Sequence, residues 1–384
     1  MNKQYLFIDS EDALQKFCGE VENSAWLAVD TEFEREKTFF PELCLVQVAN
    51  ETTTGIIDPL AMDNLDCLYD LLFRESITKV FHSARQDLEI FFNLHGRVPQ
   101  PLFDTQLAAP LLGYDDQIGY ANLVAQVLGV NLSKAHTRTN WKRRPLQTAQ
   151  LQYAADDVIY LGEIYTQLLQ QLESRGRLSW LEDDFNKLSD PQLYLPDVDK
   201  VWTRHRGAKK LRGAKLCALQ HLCAWREQRA RSQNLPRSWF MKDDLLLNIA
   251  QLQPRTESEL KDIKGISERL VRKHKDEILR VLNEAQEREP QKPEQEAQRK
   301  PLNNKEEAKV DVLYGIVRMI ADENHLHPNT LAPRREIEKL VREDPQSLLL
   351  KGWRAQMIGE SLSEFLAGKS TLQFTQDRLV CEKV

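Results

Sequence analysis

The 384-residue sequence lacks any C-x-x-C pair and any Cys/His cluster with zinc-ligand spacing. Its six cysteines (Cys18, Cys44, Cys67, Cys217, Cys223 and Cys381) are scattered, which argues against zinc modules and disulfide scaffolds and predicts reduced, mostly buried thiols. No apolar run is long enough to cross a bilayer, and the first ten residues reach an acid before a signal-type apolar region can develop. A cytoplasmic protein with no membrane association and no obligatory protein partner is the expectation. Residues 285–308 lack large aliphatic side chains, holding one, alongside three prolines. Such a segment buries too little apolar surface to offset its ordering entropy, so 287–308 is expected to be a flexible linker.

What is present describes a globular chain, 41% hydrophobic and 29% charged, of a length that implies two or three domains. The net charge of −6 conceals an asymmetry. Residues 1–200 carry 17 Lys/Arg against 31 Asp/Glu, a balance of −14, leaving 35 against 27, or +8, for the remainder. An acidic half joined to a basic half suits a metal-using catalytic domain followed by modules that bind a polyanion.

Short β-branched and apolar runs predict strands at 26–33, 43–49, 55–58 and 79–83. Helical spacing follows or separates them at 65–72, 84–94, 105–112, 123–128 and about 148–172. This pattern indicates an α/β sheet core ending near residue 190. From about residue 210 the strand signal gives way to helical periodicity, first from Leu216 to Leu282 and again from Val312 to Leu366.

Asp30 and Glu32 lie two apart on a predicted strand and therefore project from one face. Two like charges there are tolerable if solvated, if one is protonated, or if a divalent cation neutralises both. Asp87 falls in the first turn of a predicted helix, just after the strand that ends at His82-Ser83. Tyr153 and Asp157 lie four apart on the long helix and share a face, with Asp156 turned away by roughly 100°.

In order and spacing, Asp30-Thr-Glu32, Asp87 and Tyr153-x-x-x-Asp157 resemble the three exonuclease motifs of the DEDD superfamily, in its tyrosine-bearing branch. Asp30-Thr-Glu-Phe33, Leu45-Val-Gln47, Phe103-Asp-Thr-Gln106, Trp141-Lys-Arg-Arg-Pro-Leu146 and Tyr153-Ala-Ala-Asp-Asp157 extend the resemblance to ribonuclease D. Leu235-Pro-Arg-Ser-Trp-Phe-Met-Lys-Asp-Asp244 and Lys264-Gly-Ile266 resemble HRDC domains. The resemblance implies an α/β ribonuclease H-like exonuclease domain over residues 1–200, an HRDC domain over 208–286 and a second HRDC-like domain over 309–384, both all-α.

It further implies 3′–5′ exoribonuclease activity that releases nucleoside 5′-monophosphates. The substrate would be RNA with a free 3′ end, with precursor transfer RNA as the family expectation. Asp30, Glu32 and Asp157 would bind two divalent ions, Mg²⁺ or Mn²⁺, with Asp87 joining directly or through water, since such ions call for hard oxygen ligands. Tyr153 would orient the attacking water. Phe33 and Leu45 are candidates to pack on terminal bases, and Gln47 for a polar contact. A DNA exonuclease of the same superfamily and an inactive nucleic-acid-binding adaptor are the competing readings.

Two basic stretches predict how a strand is gripped. Lys134 to Arg144 holds five Lys/Arg, no acid, and Trp141, a candidate to stack on a base. Arg204 to Lys242 holds 11 Lys/Arg against the single acid Glu227.

Overall fold

A computed structural model of the chain describes residues 4–132, 139–195, 197–291, 301–375 and 378–384. Its first part alternates strand and helix: β1 (Leu6–Ile8), α1 (Glu11–Val21), β2 (Trp26–Glu34), β3 (Glu42–Ala49), β4 (Thr54–Ile57), α2 (Asp66–Leu72), β5 (Thr78–Phe81), α3 (Arg85–His95), β6 (Leu102–Asp104), α4 (Thr105–Ala108), α5 (Tyr120–Leu128), α6 (Thr148–Ser174) and α7 (Glu182–Ser189). The strands form one sheet in the order β1-β4-β3-β2-β5-β6. β3 runs antiparallel to both its neighbours, and the other pairings are parallel.

β2 lies inside this sheet because Leu27, Ala28 and Val29 are fully enclosed by it. The strand thus delivers Asp30 and Glu32 at the end of a dry apolar run. Opposite them, β3 carries one extra residue: Glu32 faces Leu45 while Phe33 faces Leu43, leaving Cys44 at a bulge.

α6 lies across β2, β3 and β4. Its N-terminus is fixed by a reciprocal cap between Gln147 and Gln150. Its close approach depends on small residues. Ala154 and Ala155 are fully buried, and a Cβ on Gly162 would stand 2.3 Å from the Trp26 ring.

The second part is helical. α8 (Gly213–Ser232), α9 (Arg237–Phe240), α10 (Asp243–Leu252), α11 (Glu257–Lys261) and α12 (Glu268–Gln286) enclose a core that includes Leu219, Leu222, Ile249, Leu260 and Ile278. Trp202 belongs to that core as well, ahead of the expected start at residue 208. Asn234 Oδ1 accepts from the backbone N–H groups of Phe39 and Phe40, both at 3.0 Å, tying the module to the β2–β3 connection.

The third part comprises α13 (Asn304–Glu323), α14 (Pro328–Leu331), α15 (Arg334–Val341), α16 (Gly352–Arg354), a π turn over Ala355–Gly359 and α17 (Glu360–Leu366). It closes with a hairpin, β7 (Ser370–Thr375) against β8 (Arg378–Lys383), which corrects the expectation of an all-α module. Nor does it stand apart. Leu313, Ile316 and Val317 share one core cluster with Leu123, Leu161 and Leu168 of α5 and α6. Trp180 stacks flat on Trp353 at 4.3 Å, and Arg177 donates to the carbonyls of Leu111 and Asn324 at 2.7 Å each.

The expected linker is shorter than 287–308. Gln291 exchanges two hydrogen bonds between its backbone and the Gln220 amide, and residues 304–308 already form the first turns of α13. Residues 292–300 lie outside the described residues.

Candidate active site

Period-two alternation sends Asp30 and Glu32 to the sheet face covered by α6. The Tyr153–Asp157 spacing places both side chains on one face of α6. Carboxylate oxygens of Asp30, Glu32 and Asp157, one from each, lie within 4.8 Å of one another, and all three residues are half-buried. Asp87 does not belong to that triplet. It is buried on the first turn of α3, where its Oδ1 accepts a hydrogen bond from Thr31 Oγ1 at 2.5 Å. Asp156 is held apart by the Gln152 side-chain amide at 2.9 Å.

Among the described residues, no cation offsets this charge in the set of groups that perturb it. Burial, then the neighbouring acids, pushes Glu32 up to about 10. Burial and Asp156 push Asp157 up to about 8. Asp30 is raised well above the carboxylate range by burial and by Asp157, with the Thr31 backbone N–H opposing. Asp87 is raised chiefly by burial and then by Asp30. Burial and the charges of Asp157, Glu32 and Asp30 hold the Tyr153 phenol far above its ordinary value, so it stays a hydroxyl at neutral pH.

α3 is aimed at this cluster by a strained turn. Ser83 has φ +64, an unusual conformation for a residue with a side chain. Asp104 holds it by accepting from the N–H groups of Ser83 at 3.0 Å and Ala84 at 2.8 Å. Neither Thr31 nor Asp104 was singled out by the motif pattern. Each carried only an indirect signal, Thr31 its place between the two acids and Asp104 its place in Phe103-Asp-Thr-Gln106.

The other candidates divide. Phe33 is half-buried at the end of β2. Gln47 is fully buried directly across from Asp30 on β3, and its side-chain nitrogen and oxygen have no partner among the described residues. Leu45, also fully buried, packs in one cluster with Trp141, Ala154, Ala155 and Ile159; it forms floor under α6.

Trp141 is 4% exposed within that cluster, which corrects the expectation of a ring free to stack on a base. Arg144 is corrected too. Its Nε and Nη2 grip both oxygens of the buried Asp58, at 2.5 and 2.7 Å, and its Nη1 and Nη2 donate to the carbonyls of Trp141 and Cys44 at 2.6 and 2.9 Å. The bulge at Cys44 supplies the last acceptor. A guanidinium so occupied braces the 139–147 segment against the sheet. Lys134 and Arg138 of the same basic stretch lie outside the described residues.

This geometry sits on a chain with clear relatives. The ribonuclease D of Sphingobium indicum is 37% identical, the alignment covering 97% of this chain and 97% of the relative. That of Bartonella henselae is 34% identical, over 96% and 91%. The chain belongs to the ribonuclease D family. The family model described as 3′-5′ exonuclease matches residues 5–173, and the HRDC domain model matches residues 216–282. Among solved structures, Escherichia coli RNase D, described as an exoribonuclease involved in structured RNA processing, superposes with TM-score 0.77 at 30% identity, covering 95% of this chain and 99% of that one. The catalytic core of RRP6 from Trypanosoma brucei gives TM-score 0.57 at 25% identity, over 74% and 82%. The α/β exonuclease part followed by a helical HRDC domain is thus the architecture of this family. Its exonucleases depend on divalent metal, and the acidic triplet provides the matching donor set.

Proposed function

We propose that the chain is a 3′–5′ exoribonuclease that removes nucleoside 5′-monophosphates from RNA with a free 3′ end, with precursor transfer RNA as substrate and the cytoplasm as its location. One observation carries the reading: Asp30, Glu32 and Asp157 converge to within 4.8 Å in a ribonuclease D-family chain. The donor set fits two divalent ions of the Mg²⁺ or Mn²⁺ class, being all oxygen, crowded and, among the described residues, without a protein cation. The buried, unpartnered Gln47 amide beside Asp30 adds an unspent donor and acceptor on the same face, suited to a bound water or a phosphate oxygen. Such ions, when bound, supply Lewis-acid stabilisation of the attacking and leaving oxygens and a hydroxide at neutral pH.

The chain's own groups supply position. Asp30, Glu32 and Asp157 would hold the ions, and Asp87 would support the set from behind, through Thr31. Tyr153 keeps its proton and offers a hydroxyl on the face of Asp157, where it orients the attacking water by hydrogen bonding; a phenol this far above neutrality is no base. The exposed cations between Arg204 and Lys242 grip the phosphodiester backbone, a sequence-independent interaction.

The test is a gel of 5′-labelled RNA incubated with Mn²⁺ or Mg²⁺, with and without chelator, beside DNA of the same sequence. The reading expects stepwise shortening of RNA that stops on chelation. Intact RNA would support the adaptor reading, and faster digestion of DNA would support the DNA exonuclease.

A further inference from the structure

The β2–β3 connection and the first helical module border an open cavity of about 520 Å³, whose wall includes Arg35, Arg204, Arg226, Arg237 and Lys242. We propose that this cavity is a second anion site, separate from the acidic triplet, which takes the phosphate of a nucleotide. The proposal deepens the exoribonuclease reading and rests on it for the identity of the ligand.

Arg237 clamps the fully buried Glu227 with both ends of its guanidinium. Arg35 pairs with Glu89 at 2.9 Å. Arg226 donates through Nη1 to Asp243 at 2.6 Å and to the Met241 carbonyl at 3.0 Å. The two acids on the wall, Glu227 and Asp243, are therefore spent. Arg204 and Lys242 are exposed and have no ion pair among the described residues. Arg226 is nine-tenths buried, and its Nε has no acceptor among the described residues. A buried guanidinium N–H without an acceptor is costly. An oxyanion with several oxygens in this cavity is met by the two exposed cations, Arg204 and Lys242, beside the half-satisfied Arg226 guanidinium.

Position links the cavity to the reaction. Arg35 follows Glu32 by three residues, at most about 11 Å of extended chain, and its partner Glu89 is two residues from Asp87 on α3. Asn234 binds the connection to the helical module, so the wall from each side is fixed. Two sources share the required chemistry: an internal phosphodiester of an RNA whose 3′ end lies at the acids, and a released nucleoside 5′-monophosphate.

The experiment uses the full chain carrying Asp30→Asn, in Mg²⁺, with a labelled ten-nucleotide RNA titrated over a series of KCl concentrations. Arg204→Gln with Lys242→Gln removes only exposed, unpaired charge. The double variant should bind the RNA at least about tenfold more weakly at low salt. Its plot of log affinity against log salt should be shallower by about 0.7, the value for one phosphate contact on a single strand. Equilibrium dialysis with adenosine 5′-monophosphate separates the sources. Binding by the parent that is lost in the double variant assigns the mononucleotide, whereas an effect on RNA alone assigns the phosphodiester. Identical RNA affinity, salt slope and mononucleotide binding in the two proteins would overturn the site. Cleavage is not read here; if the chain with Asp30 intact left RNA unshortened in the gel assay while this grip persisted, the exoribonuclease reading would fall and the anion site would stand.

Discussion

Thr31 Oγ1 donates to Asp87 Oδ1 at 2.5 Å, joining two side chains 56 residues apart. Strand alternation turns Thr31 away from Asp30 and Glu32, so the bond fastens α3 to β2 from behind the acids. Thr31→Val keeps the shape and removes the donor, leaving a buried carboxylate without its partner. A hydrogen bond to a charged group contributes about 1.5–3 kcal/mol, so turnover should fall about tenfold or more, while Thr31→Ser restores most of it. Single-turnover cleavage of labelled RNA by the three proteins measures this. Equal rates in all three would show that the bond does not position Asp87.

Asp157 stands in the acidic triplet, and its neighbour Asp156 is bonded to Gln152. If the triplet provides several kcal/mol of transition-state stabilisation, Asp157→Asn should cost about 10³-fold in turnover, with RNA affinity retained. Asp156→Asn should be mild. Tyr153→Phe removes the positioning hydroxyl and should lower kcat with little change in KM. A severe loss at Asp156 with normal turnover at Asp157 would contradict the assignment.

Arg144 and Asp58 make an ion pair that the sequence did not disclose. The site itself was legible because its signals are local: a two-residue step joins Asp30 to Glu32, and a four-residue step joins Tyr153 to Asp157. Arg144 read as a phosphate ligand because a basic run looks the same whether its cations face solvent or a buried acid 86 residues away. Trp141 misled for the same reason, its burial depending on β3 and α6 rather than on its neighbours in sequence. The three-residue strands β1 and β6 were too short to show any period. Arg144→Gln should therefore destabilise the fold by about 3 kcal/mol, the low end for breaking a buried pair. Urea unfolding reads the loss, which should be much smaller when Asp58→Asn is made in the same chain.

The acidic cluster also predicts how stability depends on pH without metal. Glu32 and Asp157 titrate higher in the folded chain, at about 10 and about 8, than carboxylates in an unfolded one, near about 4. The folded state then holds more protons across that interval, so stability must fall as pH rises through it. In chelator, the thermal midpoint should drop between about pH 5 and 9 relative to Glu32→Gln, whose profile should be flatter. Added Mn²⁺ should raise the midpoint most at the alkaline end, where more of the ligands are ionised. A midpoint difference between the two proteins that ignores pH would refute the proton linkage.

The third part of the chain shares its core with α5 and α6, and this makes a claim about cooperativity. An independent module on a linker would unfold in its own transition, leaving the exonuclease part unaffected. Here Leu313, Ile316 and Val317 lie in one cluster with Leu161 and Leu168. α6 is also the helix that carries Asp157, so loosening the far end of α6 reaches the site through a rigid element. Trp353→Ala removes the partner stacked on Trp180; it should cost at least the roughly 0.5–1.5 kcal/mol of an aromatic pair and lower the midpoint of the transition that includes the exonuclease part. Calorimetry of the full chain should show that transition absorbing the heat of both parts. Deleting residues 301–384 strips apolar cover from α5 and α6, where each fully buried aliphatic accounts for about 1.5–3 kcal/mol, against a whole-domain margin of about 5–15 kcal/mol. The truncated chain should lose metal-dependent turnover through instability, not through weaker RNA binding. A deletion that unfolds at the same temperature as the full chain would show that the two parts are thermally independent.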